Sequence, residues 1–142
     1  MKHMGITVDG LDGLLLSLEE IMDLPDAVAR EMLEAEAEIV EEAQRRTGEA
    51  MGVHRTGATL DAIGHTGMKR GPDGTRSLSV SLRGTNAKGV RNAEVAFLNE
   101  YGVPGRGIPA RPFIRTANEQ AADSAVNAAA EVYDEFLKGK GF

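Results

Sequence analysis

Apolar and polar positions alternate with different periods along the chain. Ile6–Val8 is a short β-prone stretch ahead of Asp9-Gly10, a turn signal. Over Leu11–Met22, the residues Leu14, Leu18, Ile21 and Met22 share one helical face and Glu19 and Glu20 lie outside it, which predicts a short helix. Asp23-Leu24-Pro25-Asp26 then punctuates the chain. Pro25 suits a first helical turn, where its missing N–H costs nothing, and Asp23 and Asp26 favour the positive end of a helix dipole. From Pro25 to about Thr47 the period is strongly helical. Val28, Met32, Ala35, Ile39 and Ala43 form one stripe, which Leu33 and Val40 widen to a core-facing face. Glu31, Glu34, Glu38, Glu41 and Glu42 stay on the polar sides, Arg45 and Arg46 lie near the negative dipole end, and Gly48 is the expected stop. At about 1.5 Å per residue this helix is roughly 34 Å long, as long as a small domain is wide.

Residues 48–76 are rich in glycine and polar side chains. Thr56-Gly57 precedes Leu60 and Ile63, which suggests one helical turn leading into a strand, and Gly71-Pro72-Asp73-Gly74 is a clear turn. Ser77–Arg83 alternates cleanly, with Leu78, Val80 and Leu82 on one side, the pattern of a half-buried antiparallel strand. A polar loop over Gly84–Asn92 leads to Ala93–Leu98, which reads as a second, more central strand; the two strands then form a hairpin with a long tip. Pro112 opens the last helix, in which Ile114, Ala117, Ala121, Ala125, Ala128, Val132 and Phe136 recur every three or four residues until Gly139. Seven alanines between Ala117 and Ala130 let another backbone approach closely. The expected fold is α+β, in one domain over residues 1–142. It has a long N-terminal helix, a small antiparallel sheet with a long-tipped hairpin, and an Ala-rich C-terminal helix.

Composition narrows the chemistry. The 142 residues are 42% hydrophobic and 27% charged, ordinary for a globular chain, but aromatics are only 4%, so aliphatic side chains, alanine and six Met must do most of the packing. Cysteine is absent, which removes disulfides, thiolate metal sites and cysteine nucleophiles together. No apolar run approaches the ~20 residues of a membrane span, and the N-terminus lacks the apolar stretch of a secretory signal, so a soluble protein is expected.

The net charge of −6 is unevenly spread. Residues 19–49 carry 11 acidic against 3 basic side chains, residues 50–116 carry 10 basic against 4 acidic, and residues 117–142 carry 5 acidic against 2 basic. Three readings fit: solvated faces around a basic middle, a basic middle that meets the acidic helix of another subunit, or nucleic-acid binding through the basic middle. The acidic pI near 5.1 weighs against the last.

Candidate catalytic chemistry is sparse. His54, Asp61 and His65 are the compact set that resembles metal ligands, but their spacing matches no zinc signature; His3 stands alone. No Gly-x-Ser-x-Gly elbow occurs, and Ser77, Ser79 and Ser81 read as a strand's exposed face. Gly102, Gly105 and Gly107 lack the Lys-Ser/Thr of a phosphate loop, and Pro104 and Pro109 remove N–H donors that such a loop needs. No catalytic residue, metal or cofactor is expected.

One segment resembles a known family. Val95-Ala-Phe-Leu-Asn-Glu-Tyr-Gly, a short Gly/Pro loop, and Ile108-Pro-Ala-Arg-Pro-Phe-Ile-Arg-Thr-Ala resemble the tail-completion or head–tail joining (neck) proteins of long-tailed bacteriophages and prophages. The stretch His54-Arg-Thr-Gly-Ala-Thr-Leu-Asp-Ala-Ile resembles that family's Thr-Gly-x-Leu-x-x-Ser-Ile element, with Ala62 where serine is usual. The resemblance covers about residues 25–137 and is strongest over 93–117. It implies a virion structural role without catalysis, assembly in the bacterial host cytoplasm, and contacts with head-completion or adaptor proteins and with tail-tube proteins.

The same residues have a physical reading. Gly102 can take φ > 0 after Tyr101 and turn the chain out of the sheet, Pro109 and Pro112 stiffen the approach to the last helix, and Phe113 is placed to plug a gap between sheet and helix. Glu100 and Arg111 are close enough across the loop to pair. This corner is expected to start the helix and to help form a subunit interface. For assembly, Glu34, Glu38 and Glu41 of one copy are expected to face Arg83, Lys88, Arg91 and Arg106 of the next, head to tail in a homo-oligomeric ring, with nucleic acid at most in its lumen. The loops Gly67–Arg76 and Gly84–Asn92 are expected to order on docking. The alternative function is a nucleic-acid-binding or host-regulatory phage module that uses the basic middle segment.

Overall fold

A helix that packs on two sides needs a wide apolar arc, and α1, Asp26–Ala50, has one. In a computed structural model, which describes residues 4–9, 13–18, 24–53 and 58–141, it lies against the sheet on one flank and the C-terminal helix on the other. Ala29, Leu33, Ala37 and Val40 are buried together with Met32 and Ala43. Val28, Ala35 and Ile39 of the expected stripe are half-buried, because that stripe marks only the flank toward the C-terminal helix. Pro25 precedes the helix and its carbonyl accepts from the amides of Val28 at 3.0 Å and Ala29 at 3.1 Å.

Gly48 does not end α1. The helix runs to Ala50, and the chain leaves it at Gly52, whose φ is +84°. Gly48 is buried inside the last turns, where a Cβ would lie 2.5 Å from Leu60 Cδ2 and 3.2 Å from Phe113 Cδ2. A short helical turn, α2 (Ala58–Asp61), brings Leu60 to that spot and leads into a strand, as the sequence predicts.

The sheet is antiparallel throughout, in the order β1 (Met4–Asp9), β2 (Gly13–Leu18), β5 (Arg76–Leu82), β3 (Ile63–His65), with β4 (Lys69–Arg70) also paired to β5. The residues that read as a helix within Leu11–Met22 form β2 over Gly13–Leu18. A short leucine run satisfies both periods, and pairing decides between them: Leu14 lies opposite Val80 and Leu16 opposite Leu78, in phase with β5. Gly10 of the expected first turn lies outside the described residues. The turn at Gly71–Gly74 forms as expected, with the Asp73 carboxylate accepting from the Thr75 amide at 3.1 Å and its hydroxyl at 3.0 Å. Those bonds hold the Asp73 carboxyl below its usual pKa.

The alternation of β5 extends one residue further than its apolar set suggests. Arg76 is in phase with Leu78, Val80 and Leu82 and is buried with them. Its guanidinium donates to the Leu24 carbonyl and to Asp26 Oδ1 at 3.4 Å, and Arg70 reaches Asp26 at 3.1 Å. The start of α1 is thereby tied to β4 and β5.

Ala93–Leu98 is not a strand, and so the hairpin expected from it does not form. It belongs to α3, Asn92–Tyr101. Apolar residues in consecutive positions mark a helix here because Ala93, Ala96 and Glu100 share its buried face while Leu98 and Tyr101 point out. Gly84–Asn92 is accordingly a strand-to-helix connection. The Asn86 side chain accepts from the Lys88 and Val90 amides at 2.9 and 3.1 Å and gives this loop a defined turn.

The last helix, α4, spans Phe113–Gly139 and ends where expected. Phe113, Ala117, Ala121, Ala125 and Ala129 form its buried face at a strict interval of four. It runs antiparallel to α1: Ala43 packs with Ala117 and Ala121, and Gln44 Nε2 donates to Asn118 Oδ1 at 2.9 Å. The fold is α+β, with a long N-terminal helix, a small antiparallel sheet and a C-terminal helix.

Adding a methyl group to a helical glycine normally helps by about 1 kcal/mol, but overpacking a closed contact costs about 1–3 kcal/mol. Gly48→Ala is therefore expected to destabilise the protein by up to about 2 kcal/mol. In a Leu60→Val background, which empties the clashing position, that penalty should shrink. Urea unfolding midpoints of the four variants in this cycle measure it.

Candidate functional site

The segment between α3 and α4 is a rigid corner. The Gly102 backbone has φ +72°, and a Cβ there would lie 2.7 Å from both the Ala110 nitrogen and the Ile108 oxygen, so residues 108–110 pass directly over it. Only glycine fits both conditions. The Val103 amide donates to the Ile108 carbonyl at 2.9 Å and the Ile108 amide returns a bond at 3.1 Å, which closes a loop around the 3-10 turn Pro104–Arg106.

Glu100 fixes the start of α4. The residue is 6% exposed, yet both carboxylate oxygens are used: the Ile114 amide donates to Oε1 at 2.9 Å and the Arg115 amide to Oε2 at 3.1 Å. These are amides of the first turn, which have no partner within the helix, and a carboxylate there also meets the positive dipole end. The bond that a capping side chain normally makes from the preceding residue is supplied here from α3, because Pro112 has no side-chain acceptor. The expected Glu100–Arg111 pair does not form. Arg111 extends instead to the end of α1 and donates to the Gly52 carbonyl at 3.3 Å, while Arg115 lies 3.9 Å from Glu100. Phe113 is completely buried beside Gly48, and Pro109 is exposed on the approach.

The outer side of the corner is apolar and cationic. Tyr101 is 55% exposed, Leu98 49% and Ile108 47%. The Tyr101 ring packs on Phe97 at a centroid distance of 4.9 Å, and the Arg115 guanidinium lies 6.0 Å from its centroid. Arg106 is exposed in the adjoining turn.

The expected assembly residues divide. Glu34 and Glu38 are exposed on α1, and Arg83, Lys88, Arg91 and Arg106 are exposed on the loops. Glu41 does not belong to that acidic face. It is buried, and His65 Nδ1 donates to its carboxylate from 3.2 Å. Arg83 in turn donates to the His65 carbonyl at 3.0 Å. A residue expected on each side of a contact between copies is thus tied to one histidine inside a single copy, because β3 runs between α1 and the end of β5. His3 and His54 lie outside the described residues. Among the described residues no group of three histidines, aspartates or glutamates is placed to hold a metal ion, and no helix is long and apolar enough to cross a membrane.

Two features escape a reading by period. The antiparallel packing of α1 and α4 brings Glu31 and Glu38 together with Glu131, Asp134 and Glu135 around a groove of about 520 Å³. Ala35, Ile39, Ala128 and Val132 also line it. Each helix alone reads as a solvated acidic face; the excess of acids over 117–142 was the available signal. The second feature is Glu36, buried near the middle of α1 with no hydrogen-bond partner for either carboxylate oxygen. Burial pushes its pKa up to about 7. Its position between Leu33 and Val40 on the core face was the signal.

No protein-family model, curated protein or solved structure matches the chain.

Replacing Glu100 by alanine leaves two first-turn amides of α4 without their side-chain acceptor, an expected loss of about 1–2 kcal/mol, with Glu100→Gln intermediate because one oxygen remains. Chemical unfolding compares the three proteins.

Glu36 should give stability a definite pH dependence. Below its ordinary pKa of 4.5 the group is protonated in both states. Between there and about 7 the unfolded chain releases the proton while the folded chain retains it, so stability falls as pH rises. Above that range the loss is complete, on the order of 3 kcal/mol. Glu36→Gln should remove this component, so that the variant gains on the wild type between about pH 5 and about pH 8. Paired unfolding curves at the two pH values test it.

Proposed function

We propose that the chain is a virion structural subunit, a tail-completion or head–tail joining component of a long-tailed phage or prophage, that assembles as a ring through contacts between copies. The observation that carries this reading is the separation of two unlike exposed surfaces along one helix pair. The acidic groove lies toward the start of α1 and the end of α4. The cationic, apolar corner lies at the start of α4, with Lys88 and Arg91 on the loop that leads into α3. A molecule with opposite charge at its two ends favours head-to-tail association, which closes into a ring when the rotation between copies permits.

The resemblance of residues 93–117 to the neck proteins supports the same reading, and the corner gives that segment a physical role in fixing the angle between α3 and α4. Such a subunit requires no catalysis and no cofactor. Head-completion or adaptor proteins and tail-tube proteins are the partners of such a ring, which is built in the host cytoplasm and retained in the virion.

Light scattering across a range of protein and salt concentrations tests the proposal. A ring former should exceed the 15.1 kDa monomer several-fold and should associate more slowly as salt screens steering beyond ~8–10 Å. A monomer at all concentrations that binds DNA with a steep salt dependence would favour the nucleic-acid-binding alternative.

A further inference from the structure

The proposed ring requires two surfaces that fit each other, and the molecule has a matched pair. We infer that the Tyr101 corner of one copy seats in the acidic α1–α4 groove of a second copy. The inference rests on the ring reading but goes beyond it by assigning the contact.

The corner has the composition of an interface anchor. Tyr101, Leu98 and Ile108 are each about half exposed, and Tyr101 is one of only two tyrosines in a chain with 4% aromatics. Tyrosine and arginine dominate binding hot spots, and here Arg115 lies over the Tyr101 ring while Arg106 projects from the adjoining turn. The anchor is also pre-organised. Glu100, the neighbour of Tyr101, is held by two amides of α4, and Gly102 is covered by residues 108–110, so little freedom is lost on docking.

The groove has the complementary composition. Ala35 and Ala128 leave space beside Ile39 and Val132, and Glu31, Glu38, Glu131, Asp134 and Glu135 outnumber the single Lys138 around it. A neutral apolar segment would leave those carboxylates unanswered; a corner that carries arginines beside its aromatic ring answers them. The groove and the corner lie toward opposite ends of α4, so one copy cannot fill its own groove. A second copy of this chain is the occupant that brings both the cations and the apolar side chains.

The contact is heterologous, which gives a mixing test. Tyr101→Asp spoils the corner and leaves the groove intact; Glu131→Lys with Glu135→Lys spoils the groove and leaves the corner intact. All three side chains are exposed, so circular dichroism and unfolding midpoints should match the wild type. Each variant alone should lose about 30-fold or more in association and remain monomeric where the wild type assembles. An equimolar mixture should then form a dimer and stop there, because one good corner meets one good groove and the other two surfaces are dead. Analytical ultracentrifugation reads all of these states. If the wild type assembles and the separate variants assemble equally well, the assigned contact is wrong and the ring reading survives. If the variants are monomeric but the mixture forms no dimer, the corner and groove do not meet each other and the inference is likewise overturned. A wild type that is monomeric throughout would overturn the contact together with self-assembly.

Discussion

Ala117, Ala121, Ala125 and Ala129 present nothing larger than a methyl group to the interior, and the close approach of α4 to α1 that this allows positions the other parts. With aromatics at 4% of the chain, the protein cannot fill a wide gap between layers, so it narrows the gap. Bulky side chains flank this seam at both ends, with Tyr133 and Phe136 partly buried near the end of α4. Phe113 and Leu60 meet over Gly48, where the absence of a side chain on α1 gives them room. The seam therefore has a thin middle and a wedge at the Gly48 end.

Polar groups inside this frame serve as ties between elements that are distant in sequence. Arg76 joins the first strand residue of β5 to the start of α1. His65 links Glu41 on α1 to β3, and Arg83 reaches the same residue from the end of β5. Glu100 couples the end of α3 to the start of α4 through backbone amides. Each tie acts at the end of an element, where unpaired backbone groups or short strands leave the apolar core least able to hold the chain in place. Glu36 is the exception: it lies mid-helix without a partner.

The sequence made the long helices, the half-buried strand and the Gly71–Gly74 turn legible because each has one period or one strong local signal. Where two periods fit the same residues, it did not decide. Leu14-Leu15-Leu16 suits a helical face or a strand, and only the register with β5 selects the strand. Val95-Ala-Phe-Leu has apolar residues on both sides of a strand or on a broad helical arc, and only burial of Ala93, Ala96 and Glu100 selects the arc. Residues of the corner were identifiable by their Gly and Pro spacing, but not the partner of Glu100. A carboxylate is drawn to the nearest cation on paper, whereas in the fold two unpaired amides at a helix start lie closer than Arg111 does. The acidic groove was hidden for a similar reason, since half of it comes from α4, some 90 residues after Glu38.

The closed loop at the corner bears on variation as well as on stability. Because the Val103–Ile108 pairing clamps its base and Gly102 lies beneath the returning chain, the tip at 104–107 stands outside the frame that sets the angle between α3 and α4. Length and composition at that tip are decoupled from the rest of the architecture. The helix pair should therefore survive a peptide grafted at this tip, although such a graft replaces Arg106 and with it one cation of the docking corner.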